Sequence, residues 1–477
     1  MTRTSAFSRN KFFTIISILI GCAIWFLSPP TGVDIRAWHL LAVFVFTIMG
    51  LISKFAVTGV VVFISMTTLT MTKTLSFAET FSGFSNEAVW LIVFAFFIAR
   101  GFIKTGLGLR ISYKLMAILG KSTLGLGYGM AFADLILAPA IPSVTARAGG
   151  ITYPIVAALS RTFESFPNVS PYRIGAYLIQ TTFQCSSITS AMFLTAMAGN
   201  PMIQHFAKNA GVDITWSSWA LAAIVPGLVS LIVIPFVMYK LYPPEIKNTP
   251  QAKQFAHDQL KEIGPISKKE WIMVLTFILL ITLWVMAPLI KISATITALF
   301  GLSLLLVTNV LNWEDILNER GAWDTLIWFG ALVAMASSLN QLGLMHWFSN
   351  NVVEHVTGFH WIGGFTIIGL IYFYSHYFFA SNTAHITAMY PPFLLVSIGI
   401  GTPPMLAALV LGFFSSLFGS LTTYGSGPAP IYFGSGYVKI AEWWKFGFIM
   451  SIINIFIWII VGGAWWYLIG LFNALAK

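Results

Sequence analysis

Leu137-Ala-Pro-Ala-Ile-Pro-Ser-Val-Thr-Ala-Arg-Ala-Gly-Gly-Ile-Thr-Tyr-Pro154 decides how the rest of the chain is read. Apolar arms, roughly 124–139 and 146–160, flank a turn made of Pro142, Ser143, Val144 and Thr145. A polar turn inside otherwise apolar sequence predicts a re-entrant hairpin. The same signal recurs at Ser381-Asn382-Thr383-Ala384-His385, again between apolar arms and again followed by Tyr-Pro, here Tyr390-Pro391. Ser and Thr in each turn can cap the helix that follows, whose unpaired N–H groups and positive dipole end then face the turn. Two such ends meeting at membrane depth would make an anion site.

With 57% hydrophobic and 9% charged residues over 477 positions, the chain has too little polar surface for a soluble protein. It reads as an all-α integral membrane protein. The apolar run 12–27 is long enough to span and is read as a retained first helix rather than a signal peptide. Cys22 and Cys185 both lie in apolar runs, so no disulfide framework is expected. The net charge of +10 is assigned to basic cytoplasmic loops and not to nucleic-acid binding.

Eleven apolar stretches have spanning length: 12–29, 37–54, 56–72, 86–104, 172–194, 216–239, 271–290, 294–311, 323–345, 403–420 and 445–472. The hairpins, near 122–161 and 359–398, are additional and return to the side they entered from. Threaded this way, Arg3, Arg9, Lys11, Lys104, Arg110, Lys114, Lys121, Lys240 and Lys268 share one side, with Arg36, Lys73, Lys208, Lys291 and Lys477 on the other. The positive-inside rule then places the N-terminus in the cytoplasm and the C-terminus outside a cell inner membrane.

The polar segment Pro243–Glu270 reads as a cytoplasmic linker between residues 1–242 and 271–477. Each half runs in the same order: two spans, a span ending in Gly-Leu (Gly106-Leu107, Gly343-Leu344), a hairpin, then an interrupted span. An odd number of crossings between the halves inverts the second, and inverted repeats are a transporter signature. Thr195-Ala-Met-Ala-Gly199-Asn200-Pro201 breaks the fifth span, and Ser420-Leu-Thr-Thr-Tyr-Gly-Ser426-Gly427-Pro428 breaks the tenth. Broken backbone at membrane depth is tolerated where it is buried or lines a wet cavity.

Together these pieces resemble the divalent anion:sodium symporter superfamily, especially its dicarboxylate and tricarboxylate exchanger branch. The resemblance is carried by the turns at 143–145 and 381–383, by Ile188-Thr-Ser-Ala-Met-Phe-Leu-Thr-Ala-Met197, and by Gly427-Pro-Ala-Pro-Ile-Tyr-Phe-Gly-Ser-Gly-Tyr437. It implies a homodimer in which a mobile domain of each protomer carries substrate by an elevator movement. It also implies that paired Ser-Asn-Thr turns hold the carboxylates, while turns and breaks hold sodium. Here Val144 replaces the expected Asn, and an isopropyl group neither donates to a carboxylate nor ligates a cation.

Two residues past each Thr stands a base, Arg147 or His385. Arg147 has two readings: a fixed cation that balances substrate charge as sodium would, or a structural partner of Asp134. For His385 the plain alternative is a neutral, hydrogen-bonded core histidine. The first readings favour sodium-independent obligate exchange of C4/C5 dicarboxylates such as malate, succinate, fumarate or 2-oxoglutarate, because a fixed cation cannot leave with the substrate. A sodium-coupled dicarboxylate or citrate symporter is the alternative, and an anion channel or dicarboxylate sensor a more distant one. No ATP-binding loop, metal-spaced Cys/His cluster or nucleophile elbow occurs, so neither enzyme chemistry nor a cofactor is expected. The expected substrate contacts are Ser143, Val144, Thr145, Arg147, Thr195, Gly199, Asn200, Pro201, Ser381, Asn382, Thr383, His385, Ser426, Gly427 and Pro428.

Overall fold

A computed structural model describes residues 3–53, 56–356 and 360–473. Lys477 and residue 359, at the predicted start of the second hairpin, lie outside this part, as do the side chains of Arg3, Arg9 and Lys11. Among the described residues the chain is all helical, with no strand beyond one isolated bridge between Ser122 and Asn248. Each of the eleven predicted stretches holds a helix. Among the described residues, five helices are long and apolar enough to cross a membrane: Glu87–Thr105, Trp216–Leu241, Lys268–Ile290, Arg320–Gln341 and Ile440–Leu468.

The helix Gly175–Met192 departs from this pattern in an informative way. All of its residues are buried, yet it carries Gln180, Thr181, Thr182, Gln184, Ser186, Ser187, Thr189 and Ser190. A helix that is polar and wholly enclosed faces a protein interior, not lipid. It packs against Thr123–Leu137, Trp216–Leu241 and Pro404–Leu417, which makes it the central post of the molecule.

Each stretch predicted as a hairpin holds two helices joined by a turn. In the first, Thr123–Leu137 leads to a turn and a helix that begins at Val144, widens to a π-turn at Ala148–Thr152 and continues as Tyr153–Thr162. Ser143 caps it, its Oγ accepting from the Ala146 N–H at 3.1 Å. In the second, Trp361–Tyr374 leads through a short 3₁₀ turn to Asn382–Gly399. Ser381 makes no such cap; its hydroxyl pairs with that of Thr383 at 2.8 Å, leaving the helix end open.

Pro243–Glu270 is not a bare linker. Pro250–Ile263 is a helix with Pro at its start and Gly264 at its end, as helix-terminus chemistry favours. It buries Ala252 and Ala256 and packs on Leu107–Leu119. Backbone bonds from Thr123 N–H to the Lys247 carbonyl and from Thr249 N–H to the Lys121 carbonyl, both 2.9 Å, fasten it to the base of the first hairpin. Arg110 closes the far end, bonding Glu270 and the Gly264 carbonyl while only 5% exposed.

A close crossing seats Gly83 against Arg320–Gln341, where a Cβ at position 83 would lie 1.8 Å from the Gly330 carbonyl oxygen. Backbone cannot yield as a side chain can, so Gly83→Ala is expected to destabilise by at least ~1–3 kcal/mol, the usual range for overpacking. Thermal unfolding in detergent checks this; an unchanged midpoint would contradict the crossing.

Candidate functional site

Both turns and both helix breaks meet around one cavity of about 240 Å³, the first break contributing Met197 and Ala198. The first turn contributes Pro142, Ser143, Val144 and Thr145; the second contributes Ser381, Asn382 and Thr383. Ser416, Gly419, Ser426, Gly427 and Pro428 close one side. The contact is close: a Cβ on Gly427 would sit 2.0 Å from Thr145 Oγ1, and one on Gly419 within 3.0 Å of both polar atoms of Asn382. Only glycine lets the break lie this near the turns.

Among the described residues, no Lys, Arg, His, Asp or Glu lines the cavity. What it offers an anion is hydroxyl groups and the N-terminal amides of the two helices that begin at Val144 and Asn382. A larger cavity, about 490 Å³, lies between Trp38, Phe44, Phe206, Met345 and Phe393. Its walls are almost wholly apolar and hold no comparable set of donors, so the smaller polar cavity is the candidate site.

Six expected contacts lie outside it. Arg147 is fully buried, its Nε donating to Asp134 Oδ1 at 2.9 Å, Nη1 to the carbonyls of Ile141 and Ala196, and Nη2 to Ser190 Oγ at 3.1 Å. Thr189 bonds the second Asp134 oxygen. Every guanidinium nitrogen is thus engaged, and the cation is neutralised by an acid on the other arm of the same hairpin. The expectation that Arg147 faces the substrate does not hold in this geometry; the structural pairing does.

His385 is likewise fully buried. Its Nδ1 lies 3.1 Å from His376 Nδ1 and its Nε2 3.0 Å from Ser375 Oγ, with Phe379 and Tyr372 stacked on the ring. His376 Nε2 is 3.0 Å from the Gly425 carbonyl, which can only accept, so that nitrogen carries a proton. In a neutral pair His376 Nδ1 then accepts from His385 Nδ1–H. Arg147 ties the first turn to the first break through Ile141 and Ala196, and the histidines tie the second turn to the second break through Gly425.

The first break is fixed internally. Asn200 Nδ2 donates to the Ser190 and Phe193 carbonyls (2.8 and 2.9 Å), ending Gly175–Met192, while its Oδ1 accepts from Ser416 at 3.2 Å. Thr195 Oγ1 donates to the Pro139 carbonyl at 2.7 Å and accepts from Trp216 Nε1. Gly199 leaves room for Ile386, whose Cδ1 a Cβ would meet at 2.5 Å, and Pro201 is buried beside it. These residues hold the site's shape without lining it.

The cavity also has walls not expected from sequence. Phe183, Ser186, Ser187 and Ser190 form a stripe at i, i+3, i+4 and i+7 on the central helix, a spacing visible in the sequence. Phe96, Thr325 and Trp328 come from Glu87–Thr105 and Arg320–Gln341, and no local motif marks them.

The family described as the sodium:sulfate symporter transmembrane region matches residues 9–472. The chain belongs to this family, the divalent anion:sodium symporters. The symporter family and the relatives found are transporters, not enzymes. Over 459 residues the chain is 55% identical to the putative malate transporter YflS of Bacillus subtilis, covering 96% of each protein. It is 51% identical to dicarboxylate transporter 1, chloroplastic, of Arabidopsis thaliana, covering 96% of this chain and 83% of the relative. The inner membrane protein YbhI of Escherichia coli is 36% identical, with 96% and 98% covered. Among solved structures, the Alcanivorax borkumensis YdaH transporter superposes with a TM-score of 0.57 over 98% of both chains at 12% identity, a likeness of fold alone.

Proposed function

We propose that this chain is a secondary carrier of C4/C5 dicarboxylates in the plasma membrane, working by sodium-independent obligate exchange. One observation carries this reading: the N-terminal ends of two helices, the first capped by Ser143 and the second uncapped, converge with their hydroxyls on one cavity that has no charged side chain among its described lining residues. The malate and dicarboxylate transporters among its relatives support the substrate class. Two carboxylates spaced by two or three carbons match two donor-rich ends. The bacterial relatives support the membrane assignment.

Sodium independence is supported by what occupies the carbonyls where turn and break meet. In the first half the Arg147 guanidinium already bonds Ile141 and Ala196, and Val144 brings no ligand; in the second, His376 bonds Gly425. Because Asp134 neutralises Arg147, exchange does not rest on an uncompensated cation in the empty carrier. It rests on unpaired donors. Closing an empty cavity away from water would strand helix N–H groups and hydroxyls at about 1–3 kcal/mol each, whereas a bound dicarboxylate accepts from them. Two inverted halves, re-entrant hairpins, an elevator movement, a homodimer and a cytoplasmic N-terminus complete the reading.

The second reading, sodium-coupled symport, is favoured by one feature. Asn382 Oδ1, Thr422 Oγ1 and Ser426 Oγ are buried near Gly419 and Gly425 without a hydrogen-bond partner, and oxygens of this kind suit a hard cation. Counterflow in proteoliposomes separates the two. The expected result is labelled malate uptake that requires internal dicarboxylate and is unchanged when sodium is replaced by choline. Concentrative uptake into vesicles without internal dicarboxylate, driven by sodium, would overturn exchange.

A further inference from the structure

The dicarboxylate reading leaves open what the carrier recognises between the two carboxylates, and the cavity's middle wall bears on this. Ser186 and Ser187 both line the cavity at 4% and 7% exposure. Each hydroxyl hydrogen is already used inside the central helix: Ser186 Oγ–H donates to the Phe183 carbonyl at 2.7 Å and Ser187 Oγ–H to the Gln184 carbonyl at 2.8 Å. What these serines turn toward the cavity is therefore lone pairs, two on each hydroxyl oxygen. Ser190 differs, because Arg147 already donates to its oxygen.

Asn382 supplies a second and independent observation. Its Nδ2 donates to the Ser415 carbonyl at 3.1 Å, which fixes the amide orientation, and its Oδ1 has no partner although the residue is only 8% exposed. A buried acceptor without a donor is costly, and the residue that carries it lines the same cavity as the two serines. The site thus divides by polarity, with donors at the helix ends and acceptors between them. A carboxylate suits the first and is repelled by the second.

We propose that Ser186, Ser187 and the Asn382 side-chain oxygen accept a hydrogen bond from a hydroxyl on the substrate, making the carrier selective for 2-hydroxy dicarboxylates. This rests on the dicarboxylate reading and sharpens it. A 2-oxo acid turns a second acceptor toward this wall. An unsubstituted acid leaves the wall unpaired. A 2-amino acid brings an ammonium for which the cavity holds no carboxylate.

Competition against labelled malate in malate-loaded proteoliposomes tests it, with malate, succinate, oxaloacetate and aspartate as competitors. Wild-type protein is expected to prefer malate over the other three. Ser187→Ala is expected to weaken malate about three- to tenfold, the worth of one hydrogen bond, and leave succinate unchanged. Ser187→Thr, which keeps the oxygen, retains the malate preference. Equal affinity of wild-type protein for malate and succinate overturns the inference even if Ser187→Ala does not fold. So does an equal loss for both acids in Ser187→Ala, or a sodium requirement shared by both, which would assign the unpaired oxygens to a cation. If none of the four acids competes, the dicarboxylate reading itself fails, and that outcome is distinct from the others.

Discussion

Arg147→Ala is expected to yield protein that does not survive extraction as a folded species, rather than folded protein with weakened substrate binding. The change removes every donor on the guanidinium, stranding the Asp134 carboxylate at 2% exposure and the carbonyls of Ile141 and Ala196. Removing one partner of a buried ion pair costs about 3–5 kcal/mol. Total stabilities of about 5–15 kcal/mol leave little after such a loss. The double variant Arg147→Gln with Asp134→Asn removes both charges together and is expected to recover much of the yield, because neutral amides restore some bonds and leave no buried ion. Size-exclusion profiles and thermal unfolding of both variants check this. A folded Arg147→Ala protein of ordinary stability, with malate affinity reduced tenfold or more, would return the guanidinium to the substrate.

Gly427→Ala addresses function without touching a charge. The added methyl would lie 2.0 Å from Thr145 Oγ1, and Thr145 is β-branched with few alternative rotamers, so the first turn must move away from the second break. Displacing binding groups by about 1 Å costs up to ~10²-fold where geometry matters. Transport is therefore expected to fall ~10- to 100-fold, with thermal stability near that of the wild type. Pairing it with Thr145→Ser, which keeps the hydroxyl and removes the methyl, is expected to restore part of the rate. Full activity of Gly427→Ala would mean that the close approach of turn and break is not needed.

The hairpins and breaks were legible because each is a conflict within the sequence. Pro139, Pro142, Ser143 and Thr145 interrupt an apolar run, as do Gly199-Asn200-Pro201 and Gly425-Ser426-Gly427-Pro428. Such clusters cannot continue a helix, whatever surrounds them. Which polar group points where was not legible. Arg147 and Asp134 are separated by a turn whose path depends on packing against the central helix, so substrate contact and ion pair were equally compatible with the letters. Ser381 was a reasonable cap by residue type, yet its hydroxyl found Thr383.

Within the polar segment Pro243–Glu270, Thr249-Pro250 and Gly264 bracket a helix with alanines at 252 and 256 on one face. Ser186, Ser187 and Ser190 share a helical spacing in the sequence, but a spacing names a face without naming what it faces. Phe96, Thr325 and Trp328 reach the cavity only through tertiary packing and leave no local trace.

A dicarboxylate is expected to sit between the turns at 143–145 and 381–383. Cryo-electron microscopy of the protein in lipid nanodiscs, with and without saturating malate, tests it most directly. The expected result is malate-dependent density in the cavity bounded by Ser143, Thr145, Asn382 and Gly427, with Arg147 still bonded to Asp134. Malate density elsewhere, or an unchanged cavity at saturation, would contradict it.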